Sequence, residues 1–238
     1  MQRTDPVLTC REREAINAGA WFASLSPTLR HDILRSARVI RYADGETVAL
    51  RGEPATGWMA CCRGALQVCA VAANGKAVTL DYVEPGQWLG AMDLLDGAPH
   101  LHEVCAHGDT TLLWVPRAAF LDILARHTEL YAALLRQQAE CTRRLVEQVE
   151  DLKTLGLRQR LARQLLELAR KYGLPDGQGI RITLRLAQQE LAQLLGASRQ
   201  RINEQLKHME RQDTIRMDAG ALVLCNVGAL QRIGEMDD

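Results

Sequence analysis

Along the chain the spacing of apolar positions changes character several times. From Ala20 to Leu34, Trp21, Phe22, Leu25, Leu29 and Ile33 recur at helical spacing, and Ser26-Pro27 is a start signal, so a short N-terminal helix is expected. From Arg38 to Val115 the apolar residues fall in short runs: Val39-Ile40, Thr47 to Leu50, Ala65 to Cys69, Val78 to Val83 and Thr111 to Val115. Glycines at 45, 52, 57, 64, 75, 86, 90, 97 and 108 separate these runs, and Asn74-Gly75 fits a type I′ hairpin turn. Strands this short and this regularly punctuated predict a small antiparallel β-roll or barrel.

Pro116 closes that region, and no Gly or Pro occurs from Arg117 to Leu155. Leu130, Leu134, Gln138, Cys141, Leu145, Val149 and Leu152 advance by threes and fours, a seam along a helix of roughly 25 residues. Glu140/Arg144 and Arg143/Glu147 are attractive pairs four apart on its flanks, and Glu147/Asp151 is a repulsive one. At ~1.5 Å per residue such a helix outruns a small roll. The seam is therefore read as a contact with a second copy of the chain. Gly156 interrupts the helix and is read as a hinge; Leu157, Leu161, Leu165, Leu168 and Tyr172 mark the next helix, stopped by Gly173 and Pro175 before a turn-rich loop to Gly179. The expected division is 1–116 sensor, 117–155 dimerisation helix and 156–238 second domain.

Within that second domain, Leu186 to Leu195 forms a short amphipathic helix, Gly196-Ala197-Ser198 a turn with Ser198 as N-cap, and Arg199 to Arg211 a second helix. On that helix Ile202, Leu206 and Met209 share one stripe, while Gln200, Asn203, Glu204, Lys207 and Arg211 fall opposite. Two helices joined by a three-residue turn, with hydrogen-bonding side chains near the start of the second, make a helix-turn-helix. A wing follows: Thr214 to Met217, a turn at Asp218-Ala219-Gly220, then Ala221 to Cys225. The candidate contacts to double-stranded DNA are Gln188, Ser198, Arg199, Gln200, Arg201, Asn203, Glu204 and Lys207. In a major groove Arg reads guanine O6/N7 and Gln or Asn reads adenine N6/N7, while flanking basic groups hold phosphate.

Charge adds a small asymmetry. Lys plus Arg (29) equals Asp plus Glu (29) over 238 residues, which excludes a nucleic-acid-coating basic protein. Residues 1–155 carry 16 basic and 19 acidic side chains, and residues 156–238 carry 13 and 10, so the mild basic excess lies in the DNA-binding part. No apolar run approaches the ~18 residues of a membrane span, and the first 13 residues are polar. The expectation is a soluble cytoplasmic protein with no membrane partner.

With these elements in place, residues 20–230 resemble the CRP/FNR family of bacterial transcription regulators. The resemblance is carried by Gln188-Gln-Glu-Leu-Ala-x-x-Leu-Leu-Gly-x-Ser-Arg-Gln200 and by Gly86-x-x-x-Gly-x-x-x-Leu-Leu95. It implies an α+β architecture: an N-terminal cyclic-nucleotide-binding-like β-roll, a long dimerisation helix and a C-terminal winged helix-turn-helix. It also implies homodimerisation, with RNA polymerase as a further expected partner. The family's three base-reading positions match Arg199, Gln200 and Glu204. The usual Glu is replaced by Gln200 and the usual second Arg by Glu204, so a different half-site is expected. Glu204 either accepts from a cytosine amino group or, the favoured reading, pairs with Arg201 or Lys207.

In cyclic-AMP-binding relatives a Gly-Glu pair holds the ribose, an Arg-Ser pair the cyclic phosphate, and two stalk hydroxyls the adenine. The matching effector-pocket positions here are Gly90 and Ala91, Leu101 and His102, and Leu145 and Val146. Only the glycine is kept. Loss of the arginine removes the charge-assisted contact to an anion, so any small-molecule effector is expected to be other than cyclic AMP. Iron–sulfur sensing of the family's kind needs several N-terminal cysteines, and only Cys10 precedes Cys61. His102 is read as a loop histidine rather than a haem or metal ligand, and the seven cysteines as buried thiols rather than a metal site. Cys105 and Cys141 are the candidates for redox sensitivity. No cofactor is assigned. An enzyme is excluded by the lack of nucleophile-triad, P-loop or zinc spacing. A ligand-, haem- or redox-responsive module acting through protein partners is the alternative function.

Overall fold

The computed structural model describes residues 7–71, 77–177, 179–218 and 221–235, so the expected Asn74-Gly75 turn and the Ala219-Gly220 tip lie outside the described residues. The chain divides into two compact units, residues 1–142 and 143–238.

The first unit begins with α1 (Cys10–Ala18), α2 (Ala20–Ala23) and α3 (Pro27–Ser36). The single helix expected over 20–34 is thus two pieces. Pro27 cannot continue a helix that began at Ala20, because its ring would strike the carbonyl of the turn before it. Instead Ser26 accepts a hydrogen bond from the Leu29 amide and restarts the chain with Pro27 in the first turn. The strands are β1 (Arg38–Tyr42), β2 (Thr47–Ala49), β3 (Gly57–Val71), β4 (Ala77–Val83) and β5 (Trp88–Leu89); after α4 (Ala91–Asp96) comes β6 (Glu103–Pro116). They form one antiparallel sheet in the order β1-β6-β3-β4, with β2 added to β6 and β5 to β3.

β3 is much longer than the Ala65–Cys69 run suggests. Its first six residues are all buried, because both faces of the strand are covered. Trp58, Ala60 and Cys62 enter a core shared with the helices, while Met59 and Cys61 enter a second core inside the roll. Alternation sends Cys61 and Cys62 to opposite faces, and Cys61, Cys62 and Cys69 all lie on β3. Gly64, at φ +76°, sits where the register to β6 shifts and lets the strand continue past a bulge. On the helix side, Trp58 is fully buried with its ring 4.2 Å from Trp88, 5.3 Å from Phe120 and 5.6 Å from Trp21.

α5 (Arg117–Arg126) is followed by α6 (Glu129–Thr154), a helix of 26 residues. Leu130, Ala133 and Leu134 are buried in the helix-side core. The Trp21 indole donates to the Ala133 carbonyl (2.9 Å) and the Gln137 amide to the Trp88 carbonyl (3.1 Å). Leu130 and Leu134 therefore belong to the first unit's own interior and not to an intersubunit seam. Spacing alone could not separate the two uses, because the same helix face continues from one into the other. Beyond that point Gln138, Leu145, Val149 and Leu152 are exposed and Cys141 is half-buried; Leu135 and Val146, outside the expected seam, are exposed at 68% and 61%.

The second unit takes in the last part of α6, α7 (Leu157–Tyr172), a hairpin of β7 (Gly173–Asp176) and β8 (Gly179–Ile182), α8 (Gln188–Leu194), α9 (Arg199–Arg211), β9 (Ile215–Asp218), β10 (Ala221–Leu224) and α10 (Val227–Glu235). Of the stretch read from its turn residues as a loop, Pro175 and Asp176 belong to β7 and Gly179 to β8, which pairs with β7 and with β10. The four strands run β7-β8-β10-β9. Gly156 is the N-cap of α7 at φ −65° and ψ 161°, a geometry open to any residue. The Gln159 side chain accepts from its amide (2.5 Å), and Asp151 of α6 pairs with Arg163 of α7 (2.6 Å), so the break between the helices is braced on one side.

Candidate nucleic-acid interface

α8 is preceded by its N-cap Ala187, whose amide donates to the Glu190 carboxylate (2.7 Å), and it buries Leu191 and Ala192. Gly196 then takes φ +60°, a left-handed conformation that costs other residues strain, and turns the chain. Ser198 accepts from the Arg201 amide (3.3 Å) and caps α9. The three stripe residues of α9, Ile202, Leu206 and Met209, are all buried, which fixes the rotation of the helix in its domain. As a consequence Arg199, Gln200, Arg201, Glu204, Lys207 and Arg211 are exposed, and Asn203 and Gln188 are half-buried.

Two hydrogen bonds order this face. Gln188 donates to the Asn203 side-chain oxygen (3.3 Å), tying α8 to α9, and Gln200 donates to the Glu204 carboxylate (3.0 Å). The expected pairing of Glu204 with Arg201 or Lys207 is absent among the described residues. The amide one helical turn earlier is the nearer partner on the same ridge. Arg199, Arg201 and Lys207 keep their side-chain donors for an outside acceptor. Arg181 does not, although it contributes to the local basic excess. Asp218 (2.6 Å) and Asp176 (2.7 Å) hold it within the four-stranded sheet. Its hydrogen bonds to Asp218 and then Asp176 raise its pKa, and it lowers that of Asp218. Arg181 is therefore engaged inside its own sheet, whereas Arg199, Arg201, Lys207 and Arg211 are exposed on α9.

A residue that spacing did not single out joins this surface. Arg158, in the first turn of α7, donates to Gln212 (2.8 Å) and lines a groove with Lys207, His208 and Arg211. Nothing in the apolar pattern marks it, since its position is set by how α7 meets the end of α9.

Of the six expected effector positions, Gly90, Ala91, Leu101 and His102 belong to the first unit and Leu145 and Val146 to the second. Gly90 caps α4 in a left-handed conformation, Ala91 is buried, Leu101 is exposed at 66%, His102 is half-buried, and Leu145 and Val146 lie exposed on α6. The roll does contain a cavity of about 340 Å³, but none of those six residues lines it. Its walls include Arg38, Tyr42, Met59, His100 and Trp114. The histidine at this cavity is His100, with Asp93 on its Nδ1 (2.9 Å). Burial pushes the Cys61 thiol well above its usual range and the Cys62 thiol up to about 12, so neither is a ready thiolate. Among the described residues no group of three or more His, Cys, Asp or Glu side chains is placed to hold a metal ion, and no helix is long and apolar enough to cross a membrane.

Comparison with known proteins agrees with this architecture. Residues 39–127 match the cyclic nucleotide-binding domain and residues 159–233 the Crp-like helix-turn-helix domain. A CRP-like cAMP-activated global transcriptional regulator of Mycobacterium tuberculosis is 26% identical over 211 residues, covering 89% of this chain and 94% of the relative. The crystal structure of a CRP-family transcriptional regulator from Thermus thermophilus superposes with a TM-score of 0.70 at 26% identity, covering 83% of this chain and 97% of that one. FixK2 from Bradyrhizobium japonicum shares the fold, with a TM-score of 0.74 at 20% identity over 85% and 99% of the two chains. The chain belongs to the CRP/FNR family of DNA-binding transcription regulators.

Proposed function

We propose that the protein acts as a homodimer that reads a near-palindromic operator with the exposed face of α9, under the control of an effector other than cyclic AMP. The observation that carries the reading is the two-sidedness of α9. Ile202, Leu206 and Met209 anchor it, while Arg199, Gln200, Asn203, Glu204 and Lys207 are presented together on the other side. In this reading Arg199 takes a guanine, Gln200 and Asn203 take adenine edges, and Gln188, Ser198, Arg201, Lys207 and Arg158 set the register on phosphates. Because Gln200 already holds the Glu204 carboxylate, Glu204 orients Gln200 and lowers affinity for an approaching phosphate.

Support for the dimer is the run of exposed apolar residues on α6, Leu145, Val146, Val149 and Leu152. A stripe of this kind on one helix is disfavoured in water unless something covers it. Two-fold symmetry then puts two α9 helices in successive major grooves, about 34 Å apart. Against cyclic AMP stands the replacement of the phosphate-binding arginine position by Leu101, whose side chain carries no charge to offer an anion. Whatever effector binds can shift DNA affinity only through different affinities for the DNA-competent and DNA-incompetent states. The reading also divides the chain for function at 116 and 155, treats Gly156 as the hinge, and takes RNA polymerase as the protein partner at the promoter.

Selection from random genomic fragments tests the reading. Retention of a small set of sequences sharing a two-fold-related motif, with affinity falling steeply as salt rises, is expected. Retention that is indifferent to sequence would contradict it and favour a module that works through protein partners.

A further inference from the structure

The cavity in the β-roll has a chemical character of its own, which does not depend on how the protein reads DNA. Strand register builds it. Trp114 of β6 lies opposite Arg38 of β1 on one side and Met59 of β3 on the other, so the three side chains rise from one face of the sheet. Two residues before Met59 on that face is Gly57. A Cβ there would stand 2.1 Å from the Trp114 indole nitrogen. The glycine therefore leaves the space that the indole fills, and the ring lies over the β3 backbone as one wall of the cavity. The Arg38 guanidinium is 5.9 Å from the centre of that ring. Arg38 is exposed and makes no ion pair among the described residues. Tyr42, four residues further along β1, adds a second aromatic wall, and His100 closes the far side with its Nδ1 engaged by Asp93 (2.9 Å). The remaining walls are mostly aliphatic. Among the described residues no carboxylate lines the cavity, and Arg38 is its single fixed charge.

We propose that this cavity binds a small planar aromatic carboxylate, with its ring against Trp114 and Tyr42 and its carboxylate on the Arg38 guanidinium. The three features select together. An aliphatic anion would satisfy Arg38 but leave the aromatic walls uncovered, and a neutral aromatic would do the reverse. The guanidinium fork matches a carboxylate in two parallel hydrogen bonds, geometry that a lysine at this position would lack. At about 340 Å³ the space lies at the lower end of the range for small-molecule sites, suited to a single-ring ligand.

The test uses the full chain and benzoate as the probe, with butyrate, benzyl alcohol and cyclic AMP as comparison ligands. Binding is followed by calorimetry and by tryptophan fluorescence. Saturable benzoate binding is expected, with butyrate and benzyl alcohol each weaker by about tenfold or more. Arg38→Met, which keeps the stem and removes the charge, should weaken benzoate by about tenfold while leaving the melting temperature unchanged, because Arg38 is exposed. The fluorescence change should vanish in Trp114→Phe, which locates the ligand against that ring. No saturation by about 10 mM benzoate, equal affinity in Arg38→Met, or displacement of benzoate by tighter-binding cyclic AMP would each overturn the assignment.

Discussion

Shortening Leu145 to alanine should separate the two subunits while leaving each one folded. Leu145 is 54% exposed in the second half of α6, so only about half of its side chain is already out of water. Full burial of a leucine is worth about 1.5–3 kcal/mol, and the uncovered share therefore about 1–1.5 kcal/mol. A two-fold seam counts that share twice, so Leu145→Ala should weaken the dimer by about 2–3 kcal/mol, or about 30- to 150-fold in dissociation constant. The isolated subunit should change by no more than about 0.5 kcal/mol, since alanine is at least as good a helix former and no core contact is lost. Sedimentation equilibrium over a dilution series measures the first quantity and thermal melting the second. Leu101→Ala provides the control, because Leu101 is also apolar and exposed but belongs to the first unit and is not part of α6. A dissociation constant for Leu145→Ala within twofold of the unmodified protein, or the same shift in Leu101→Ala, would refute the reasoning.

Three further outcomes follow from particular side chains. Arg199→Ala should reduce specific DNA affinity by ~1–3 kcal/mol and relax the preference at one base pair, whereas Lys207→Ala should weaken all sequences alike and lower the salt slope by about one; fluorescence anisotropy at several salt concentrations distinguishes them. Glu12 is buried, which by itself raises its pKa, but hydrogen bonds from the Thr9 amide, Thr111, the Thr9 hydroxyl and Arg41 outweigh burial and hold it at about 2. A carboxylate lowered in the folded state stabilises above its ordinary pKa and loses that contribution as pH falls through the folded value. Roughly 3 kcal/mol should therefore disappear between about pH 4.5 and 2, and Glu12→Gln should flatten that part of the pH–stability curve. Finally, alkylation of the folded protein at pH 8 should label exposed Cys10 and spare buried Cys61 and Cys62; mass spectrometry finding rapid label on Cys61 or Cys62 would contradict the burial argument.

How far the sequence could be read depended on whether one environment covered a segment. α9 was legible because one face is wholly buried and the other largely exposed, so its stripe of Ile202, Leu206 and Met209 needed no further knowledge. The first half of β3 was not, because burial on both faces erases the apolar–polar alternation that marks a half-buried strand. The seam on α6 was misread in its first half. Leu130 and Leu134 follow the same heptad steps as Leu145 and Val149 but are covered by the chain's own core, whereas the later pair stays exposed. The cavity in the roll was the least legible part, because it is made by cross-strand neighbours such as Arg38 and Trp114, which lie 76 positions apart in the chain. Arg158 belongs to the same class, a surface residue given its neighbours only by tertiary structure.

If the polar face of α9 enters the major groove in both halves of a dimer, cleavage directed from that helix will map it on the operator. An iron chelate attached to a cysteine introduced at Gln205, beside that face, would cut DNA wherever the helix lies. The carrier is a protein whose exposed Cys10 and half-buried Cys105, Cys141 and Cys225 are replaced by serine, so that the chelate has one site of attachment. Two clusters of cleavage are expected on the selected operator, separated by about one helical turn, or roughly 34 Å, and related by a two-fold axis. Cleavage spread evenly along the duplex, or none above the level of chelate free in solution, would contradict it.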